Sequence, residues 1–376
     1  MPRRGSVTAF HRLSLLAAVL MLAGCGRSTS SAPEALPTAT ARFPAATAAL
    51  RPAIPAAEPT GEELPEGASK TLSSLRQVDD YPLYTMQYHG SYIPWQTPVQ
   101  EGNPVTGAGA AVQWACSLFA AMGDAENRLY GRNFDWEFSP ALFLFTDPAD
   151  GYASVSMVDI AYLGFDGEKA RTITRLPLAE RESLLQAPWL PFDGMNEAGL
   201  AVGMAAVPGG SAEPDPAKPT IGSLGVIREM LDHAGSVDEA VAMLRTYNID
   251  FSGGPPLHYL LADSSGRAAL VEFYSGKVHI LSNDGPWLQS TNFLLAEAGG
   301  AVAGQCWRYD TIGRELAQTE GKMTAAQAMG LLTSVAQPNT QWSVVYGMSS
   351  GQVRVAMGQR FEAEHSFSIL PDIAVP

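Results

Sequence analysis

The order of the patterned segments constrains the fold of this chain more than any single motif does. Alternating or aromatic-rich segments predict early strands at Tyr81–Tyr92, Trp114–Ala121, Asn127–Asp135, Ser154–Leu163 and Ala198–Ala206. Helical spacing and two capping boxes predict helices at Ile221–His233, from Ser236 to about Tyr247 and from Thr324 to about Val335. Further strands are predicted at Leu257–Ala262, Ala268–Tyr274, Trp342–Met348 and Gln352–Ala356. This order predicts an α+β fold in which two mostly antiparallel sheets pack face to face with helices outside.

The first 24 residues have the pattern of an export signal. Arg3, Arg4 and Arg12 form a positive region, and the apolar stretch that follows ends in Leu22-Ala23-Gly24-Cys25. This resembles a bacterial lipoprotein signal, in which Cys25 becomes the lipidated first residue. A plain secretory signal or an uncleaved anchor is the alternative. We therefore expect an exported protein, lipid-anchored to the periplasmic or extracellular face of a membrane.

Composition divides the remainder of the chain. Residues 25–70 are rich in Pro, Ala and Thr without periodic apolar positions, which predicts a flexible tether. We interpret residues 71–115 as a pro-segment packed on the body and residues 116–376 as the body itself. The formal charge of −14 argues against nucleic acid as a partner. No metal-ligand spacing or phosphate-binding glycine loop is visible, so no cofactor is implied.

Cys116 is the candidate nucleophile. A turn at Gly123-Asp124 would bring Arg132 and Asp135, at the end of the next predicted strand, back beside it. A thiol with a cation and an anion at its side has the ingredients of an activated nucleophile, and nearby cations would lower its pKa. The alternatives are an inert buried cysteine, or a disulfide with Cys306.

Four segments together resemble the linear amide C–N hydrolases, the group of choloylglycine hydrolase and penicillin V acylase with the related acyl-CoA:6-aminopenicillanate acyltransferases. They are the Cys116 strand, Arg132-Asn133-Phe134-Asp135, Gly194-Met195-Asn196-Glu197-Ala198-Gly199-Leu200, and Ser290-Thr291-Asn292-Phe293 with Cys306-Trp307-Arg308-Tyr309. The resemblance implies an N-terminal nucleophile hydrolase with a four-layer αββα sandwich. It implies a small-molecule N-acyl amide as substrate, and leaves the oligomeric state open.

The resemblance also implies a role for each matching residue. Cys116 is the nucleophile and its own α-amine the base, Asp135 holds that amine, and Arg132 lies near the thiolate. Asn196 and Asn292 match the asparagines assigned to the oxyanion hole, and Arg308 completes the polar cluster. The apolar run Ala141–Phe145 either lines an acyl pocket or is an ordinary core strand.

One departure from the family bears on the mechanism. Cys116 lies far from the start of the chain, so its amine is free only if the Ala115–Cys116 bond is cut, as in the self-cleaving acyltransferase precursors. Three alternatives remain open: an acyltransferase of the same family, a non-catalytic ligand-binding lipoprotein on this scaffold, and a papain-like enzyme with His258 or His279 as base.

Overall fold

The computed structural model describes residues 64–93, 115–252 and 254–369. Helices and strands alternate in short blocks along these residues. The strands are β1 (Arg76–Asp79), β2 (Leu83–Gln87), β3 (Ser117–Ala121), β4 (Leu129–Asp135), β5 (Ala141–Thr146), β6 (Ser154–Asp159), β7 (Asp193–Asn196), β8 (Ala201–Ala206), β9 (Thr220–Gly222), β10 (Asn248–Asp250), β11 (Leu257–Ala262), β12 (Ala268–Tyr274), β13 (Lys277–Ser282), β14 (Trp287–Ser290), β15 (Thr340–Gly347), β16 (Gln352–Met357) and β17 (His365–Ser368). The α-helices are α1 (Glu66–Ser73), α2 (Gly167–Thr172), α3 (Gly225–His233), α4 (Val237–Leu244), α5 (Leu295–Ala298), α6 (Trp307–Gln318) and α7 (Ala325–Ser334). Three 3₁₀ segments lie at Ile160–Leu163, Ile173–Arg175 and Leu178–Trp189.

Two large sheets form the centre of the fold. The first has nine strands in the order β1-β2-β5-β6-β7-β8-β11-β12-β13, and the second has six in the order β14-β3-β4-β15-β16-β17. The neighbouring strands are antiparallel except for β2 and β5, which pair in parallel. A separate parallel pair joins β9 and β10.

Strand alternation fills both faces of each sheet. In β3, Leu118 belongs to the apolar core between the sheets, whereas its neighbour Phe119 belongs to a second core with Ile312 of α6 and Leu332 of α7. Successive residues of a strand point to opposite faces, so a strand buried throughout has a layer on each side. The outer face of the nine-stranded sheet is covered by α3, by α4 and by the 3₁₀ segment Leu178–Trp189. The predicted α+β fold, a four-layer αββα sandwich, is confirmed.

Element ends differ from the sequence prediction in a few places. The predicted helix at Ile221–His233 begins only at Gly225, because Thr220–Gly222 pairs with β10 as a strand. The predicted strand to Leu163 ends at Asp159, whose carboxylate accepts a hydrogen bond from the Ala161 N–H and caps a 3₁₀ turn. Both predicted N-caps start helices, with the Ser236 and Thr324 hydroxyls accepting from the backbone N–H three residues on. The Thr324 capping box is complete, whereas the Glu239 side chain accepts from the Gly235 N–H rather than from that of Ser236.

The residues before Cys116 contribute to the first sheet. Helix α1 spans the expected boundary at residue 70 between tether and pro-segment. From the expected pro-segment, β2 pairs with β5, and Asp79 of β1 forms an ion pair with Arg360 and a hydrogen bond with His365. The expected signal, Cys25 and most of the tether lie outside the described residues. No helix within the described ranges is long and apolar enough to cross a membrane.

Candidate active site

Cys116 lies immediately before β3, between the two sheets. Its side chain is a free thiol and is almost fully buried. The alternative of a disulfide between Cys116 and Cys306 is therefore wrong. The antiparallel register pairs Ser117 with Asn133, and continuing it places the Ala115–Cys116 peptide opposite the end of β4. This register brings the cysteine to Asp135, as the spacing predicts.

Arg132 extends from β4 across the space between the sheets to Asp193 of β7. Its guanidinium forms a buried ion pair with that carboxylate, also donates to the Met204 carbonyl at 3.2 Å, and lies over the Phe134 ring. Burial is the largest single effect and would lower the pKa of Arg132, but Asp193, Cys116 and Tyr130 together outweigh it and raise that pKa. Arg132 is therefore held as a cation close to the thiol.

Asp135 lies on the other face of β4. Its Oδ1 accepts a hydrogen bond from the Thr340 hydroxyl, and its Oδ2 lies 3.9 Å from Arg308 Nη1. Within the part of the chain that the structure describes, Oδ2 accepts no hydrogen bond. Burial raises the pKa of Asp135 to about 7 against the opposing effects of Thr340 and Arg308. The site thus has one carboxylate oxygen to which a further donor can bind.

Arg308, in the first turn of α6, contacts the peptide that joins Ala115 to Cys116. Its Nη1 donates to the Ala115 carbonyl at 2.6 Å and to the Cys116 carbonyl at 2.5 Å. Its Nη2 donates to Asn292 Oδ1 at 3.0 Å, and Asn292 Nδ2 donates to the Ala206 carbonyl at 2.8 Å. Arg308 and Asn292 are therefore in the cluster around Cys116.

Asn196 is not in that cluster, and its expected place in an oxyanion hole is not supported by its contacts. Both N–H groups of its amide donate to the carbonyls of Leu231 and Ala234, at the end of α3, and its Oδ1 accepts from the Leu200 N–H. Asp193, three residues earlier in β7, faces the other sheet. An odd separation along a strand reverses the side of the sheet, so the two side chains point opposite ways.

The net pKa shift of the thiol differs from the sequence expectation. Burial raises the pKa of Cys116 above its ordinary value, although Arg132 and Arg308 each act to lower it. The cations have the predicted effect, but removal of the sulfur from water is the larger one. In the intact chain, Cys116 is therefore a neutral thiol at neutral pH, and a base is needed to activate it.

A cavity of about 350 Å³ opens beside the sulfur. Cys116 lines it together with an aromatic wall made by Phe134, Trp136, Tyr162, Trp189 and Phe192. Aliphatic and small residues complete the lining, among them Met204, Ala206, Ile221, Leu224, Pro255 and Leu257. The apolar run Ala141–Phe145 does not line this cavity and is a buried core strand, which is the second of its two interpretations.

Neither histidine of the papain-like alternative is bound to the thiol. His258 is paired with Glu272 at 3.2 Å, and His279 contacts the Tyr274 carbonyl at 3.1 Å. The charged groups that act on the Cys116 pKa are Arg132, Asp135 and Arg308. The geometry therefore gives no support to a histidine base.

Sequence reasoning missed Asp193, Thr340 and the aromatic wall. Asp193 had a usable signal, because an arginine inside an apolar strand needs a buried carboxylate, and Asp193 directly follows the apolar segment that ends at Phe192. Trp342 and Tyr346 also donate to Asp193, at 3.2 Å and 2.5 Å. The aromatic wall comes from several separate segments and had no local signal.

Comparison with known proteins relates the sequence to a known family. The sequence profile of the linear amide C–N hydrolases, choloylglycine hydrolase family, matches residues 116–294 and so begins at Cys116. No curated protein sequence matches the chain. Among solved structures, a mutant of the conjugated bile acid hydrolase from Clostridium perfringens is similar, with a TM-score of 0.48, 16% identity and coverage of 67% of this chain and 92% of that one. Penicillin V acylase from Agrobacterium tumefaciens has a TM-score of 0.44, 19% identity and coverage of 64% and 83%.

Proposed function

Over residues 116–294 this chain belongs to the choloylglycine hydrolase family of linear amide C–N hydrolases, and from that premise we propose that Cys116 is its nucleophile. The family resemblance seen in the sequence is thereby confirmed, and with it the class: a hydrolase of the N-terminal nucleophile type acting on carbon–nitrogen bonds other than peptide bonds. The finer proposal is an exported enzyme that cleaves an N-acyl amide after release of the Cys116 amine.

The observation that carries the proposal is the position of the Cys116 thiol on an apolar cavity, within a cluster of buried ionic groups. An acyl group can lie against the aromatic wall while its carbonyl carbon meets the sulfur. We place the carbonyl oxygen of the substrate beside Asn292 and Arg308, and donors of this kind typically contribute about 3 kcal/mol to lowering the barrier. The mostly apolar lining favours a hydrophobic or aromatic acyl group.

The reaction then has two balanced steps. The neutral Cys116 α-amine accepts the thiol proton, the thiolate adds to the substrate carbonyl, and the C–N bond breaks with transfer of that proton to the leaving amine. Water then adds to the thioester and releases the acid and the thiol. An α-amine has a pKa of about 8, so part of it is neutral at physiological pH.

Freeing that amine requires cleavage of the Ala115–Cys116 bond. Two features support it: the family match begins at Cys116, and among the described residues Asp135 Oδ2 accepts no hydrogen bond, so the new amine could donate to it. Export through a lipid anchor on Cys25 is supported by the arginines and apolar core of the N-terminus. Loss of the protein from the membrane fraction in Cys25→Ser would support the anchor, and its retention there would overturn it.

The test of the function is turnover. The membrane-released protein and Cys116→Ala are incubated with bile salts, penicillin V, N-acyl homoserine lactones and N-acyl amino acids, and the released amine is measured. Turnover by the parent protein alone is expected. Equal turnover by Cys116→Ala would overturn the assignment, and ligand binding by a folded parent protein without any turnover would indicate a binding protein. Addition of a second amine distinguishes acyl transfer from hydrolysis.

A further inference from the structure

Arg308 holds the one peptide bond whose cleavage the proposed function needs. Its Nη1 lies 2.6 Å from the Ala115 carbonyl oxygen, which belongs to the Ala115–Cys116 amide, and 2.9 Å from the Ser117 hydroxyl. The guanidinium is almost completely buried. A buried cation at hydrogen-bond distance polarises that carbonyl more strongly than solvent would.

The surroundings fix the guanidinium in this orientation. Asn292 Oδ1 accepts from Nη2 at 3.0 Å, and the Cys116 carbonyl also accepts from Nη1. The acidic neighbour, Asp135 Oδ2, is 3.9 Å away, which is longer than a charge-assisted hydrogen bond. Among the described residues, Nη1 is therefore closer to the two carbonyl oxygens than to the carboxylate, and the donor is aimed where negative charge would develop during cleavage.

We propose that Arg308 stabilises the oxyanion on Ala115 while the chain cuts its own Ala115–Cys116 bond. This inference rests on the proposed function, since it concerns how the Cys116 amine becomes free. Arg308 would thus act first on the chain's own amide, and its Nη1 becomes available to a substrate carbonyl once Ala115 has left.

The cleavage balances without any cofactor. The Cys116 thiol gives its proton to the buried Asp135 carboxylate, and its sulfur adds to the Ala115 carbonyl carbon through a five-membered ring. Arg308 stabilises the oxygen that becomes negative. The C–N bond then breaks, and the Cys116 nitrogen takes the proton back from Asp135, which leaves a thioester between Ala115 and the sulfur. Water adds to the thioester and releases the Ala115 carboxylate, the thiol and the free amine.

The experiment follows cleavage of the full-length protein by intact mass and N-terminal sequencing after pulse labelling. The parent protein is compared with Arg308→Ala, Arg308→Lys and Cys116→Ala, and with Arg354→Ala, a partly exposed arginine of β16, as matched control. We expect at least a 100-fold slower cleavage in Arg308→Ala, an intermediate rate in Arg308→Lys, and the parent rate in Arg354→Ala. Adding guanidinium to purified Arg308→Ala precursor should restore cleavage, which a merely structural arginine would not predict.

Hydroxylamine tests the thioester, because its attack leaves a hydroxamate on Ala115. Cleavage of Arg308→Ala at the parent rate would overturn the proposal, and so would a folded Arg308→Ala precursor that guanidinium does not rescue. If Arg308→Ala fails to fold, Arg308→Lys decides: slower cleavage at an unchanged melting temperature supports the proposal, and the parent rate overturns it. If the parent protein stays uncut but still hydrolyses amides, the self-cleavage and this inference are both overturned, whereas the assignment as an amide hydrolase stands.

Discussion

The guanidinium of Arg132 and the carboxylate of Asp193 form an ion pair that joins the two sheets. Arg132 belongs to β4 of the six-stranded sheet, and Asp193 to β7 of the nine-stranded sheet; both side chains are fully buried. Trp342 and Tyr346 of β15 donate to the same carboxylate. A buried pair of this kind needs such additional donors, because burial removes the hydration of both charges.

Replacing Asp193 with Asn should destabilise the fold strongly, because Arg132 would remain buried without its counter-charge. We expect a loss of about 3–5 kcal/mol, measured by urea unfolding in a Cys116→Ala background that keeps the chain uncut. Tyr346→Phe is the matched control, since it removes only one hydrogen bond to the carboxylate and should lose about 2 kcal/mol. A loss below about 1 kcal/mol in Asp193→Asn would contradict the structural role of the pair.

Replacing Asn196 should lower stability, whereas replacing Asn292 should lower activity. Asn196→Ala leaves two buried carbonyls without donors, so we expect a loss of about 2 kcal/mol in unfolding free energy and an unchanged kcat of the folded enzyme. Asn292→Ala removes a side chain bound to Arg308, and we expect kcat to fall about 100-fold. If Asn196→Ala lowers kcat and Asn292→Ala does not, Asn196 rather than Asn292 lies at the reacting carbonyl.

Trp189 should set the size of the acyl group. It lines the cavity, and its Nε1 donates to the Ile93 carbonyl at 2.9 Å. Trp189→Ala should raise the kcat/KM ratio for a bulky over a small acyl amide about 10-fold, because a larger pocket accommodates more apolar atoms. Phe145→Leu, a change in β5 outside the cavity, is the control and should leave the ratio unaltered. Equal ratios in parent and Trp189→Ala proteins would show that the acyl group binds elsewhere.

The pH dependence of stability should report the burial of Asp135. Its pKa is raised to about 7 in the fold, against an ordinary value of 3.8, so between these values the folded chain binds more protons than the unfolded one. Stability contributed by this group is therefore present at low pH and falls as pH rises towards 7. In the Cys116→Ala background, the free energy of unfolding should decrease between pH 5 and pH 8. Adding Asp135→Asn should make that decrease smaller by about 3 kcal/mol.

Urea unfolding at the two pH values measures this difference. Comparison with the Cys116→Ala protein cancels the contributions of other titrating groups. Asp159 is one of these, because burial raises its pKa to about 7 as well. Equal pH dependence with and without Asp135 would mean that this carboxylate is ionised throughout the range.

Sequence could place Cys116, Arg132 and Asp135 together because neighbouring strands of a hairpin bring sequence-local residues into register. It failed for Asn196, since spacing along the chain did not reveal which face of β7 the side chain occupies. A shift of one position along a strand decides whether a side chain lies between the two sheets or against the helical layer. Asn292 and Arg308 are identified only through the family resemblance, and the sequence does not predict the helix that carries Arg308.

The partners that cross between sheets could not be read from the sequence. Asp193 meets Arg132 because two sheets pack face to face, and the aromatic wall assembles from segments that are distant along the chain. Such contacts depend on the relative placement of whole layers, for which a single sequence has no periodic signal. Local rules therefore predicted the elements and part of the nucleophile's environment, whereas tertiary packing determined the counter-ions and the pocket.

The parallel pairing of β2 with β5 has a consequence for how this protein can be assembled. Leu83 to Gln87 lies along Ala141 to Phe145 while both belong to one chain, so the strands find each other by an intramolecular search at high effective concentration. A cut at Ala115–Cys116 turns the same contact into an interface between two polypeptides. First folding would then be independent of protein concentration, whereas recovery from denaturation would become a second-order reaction between separate chains.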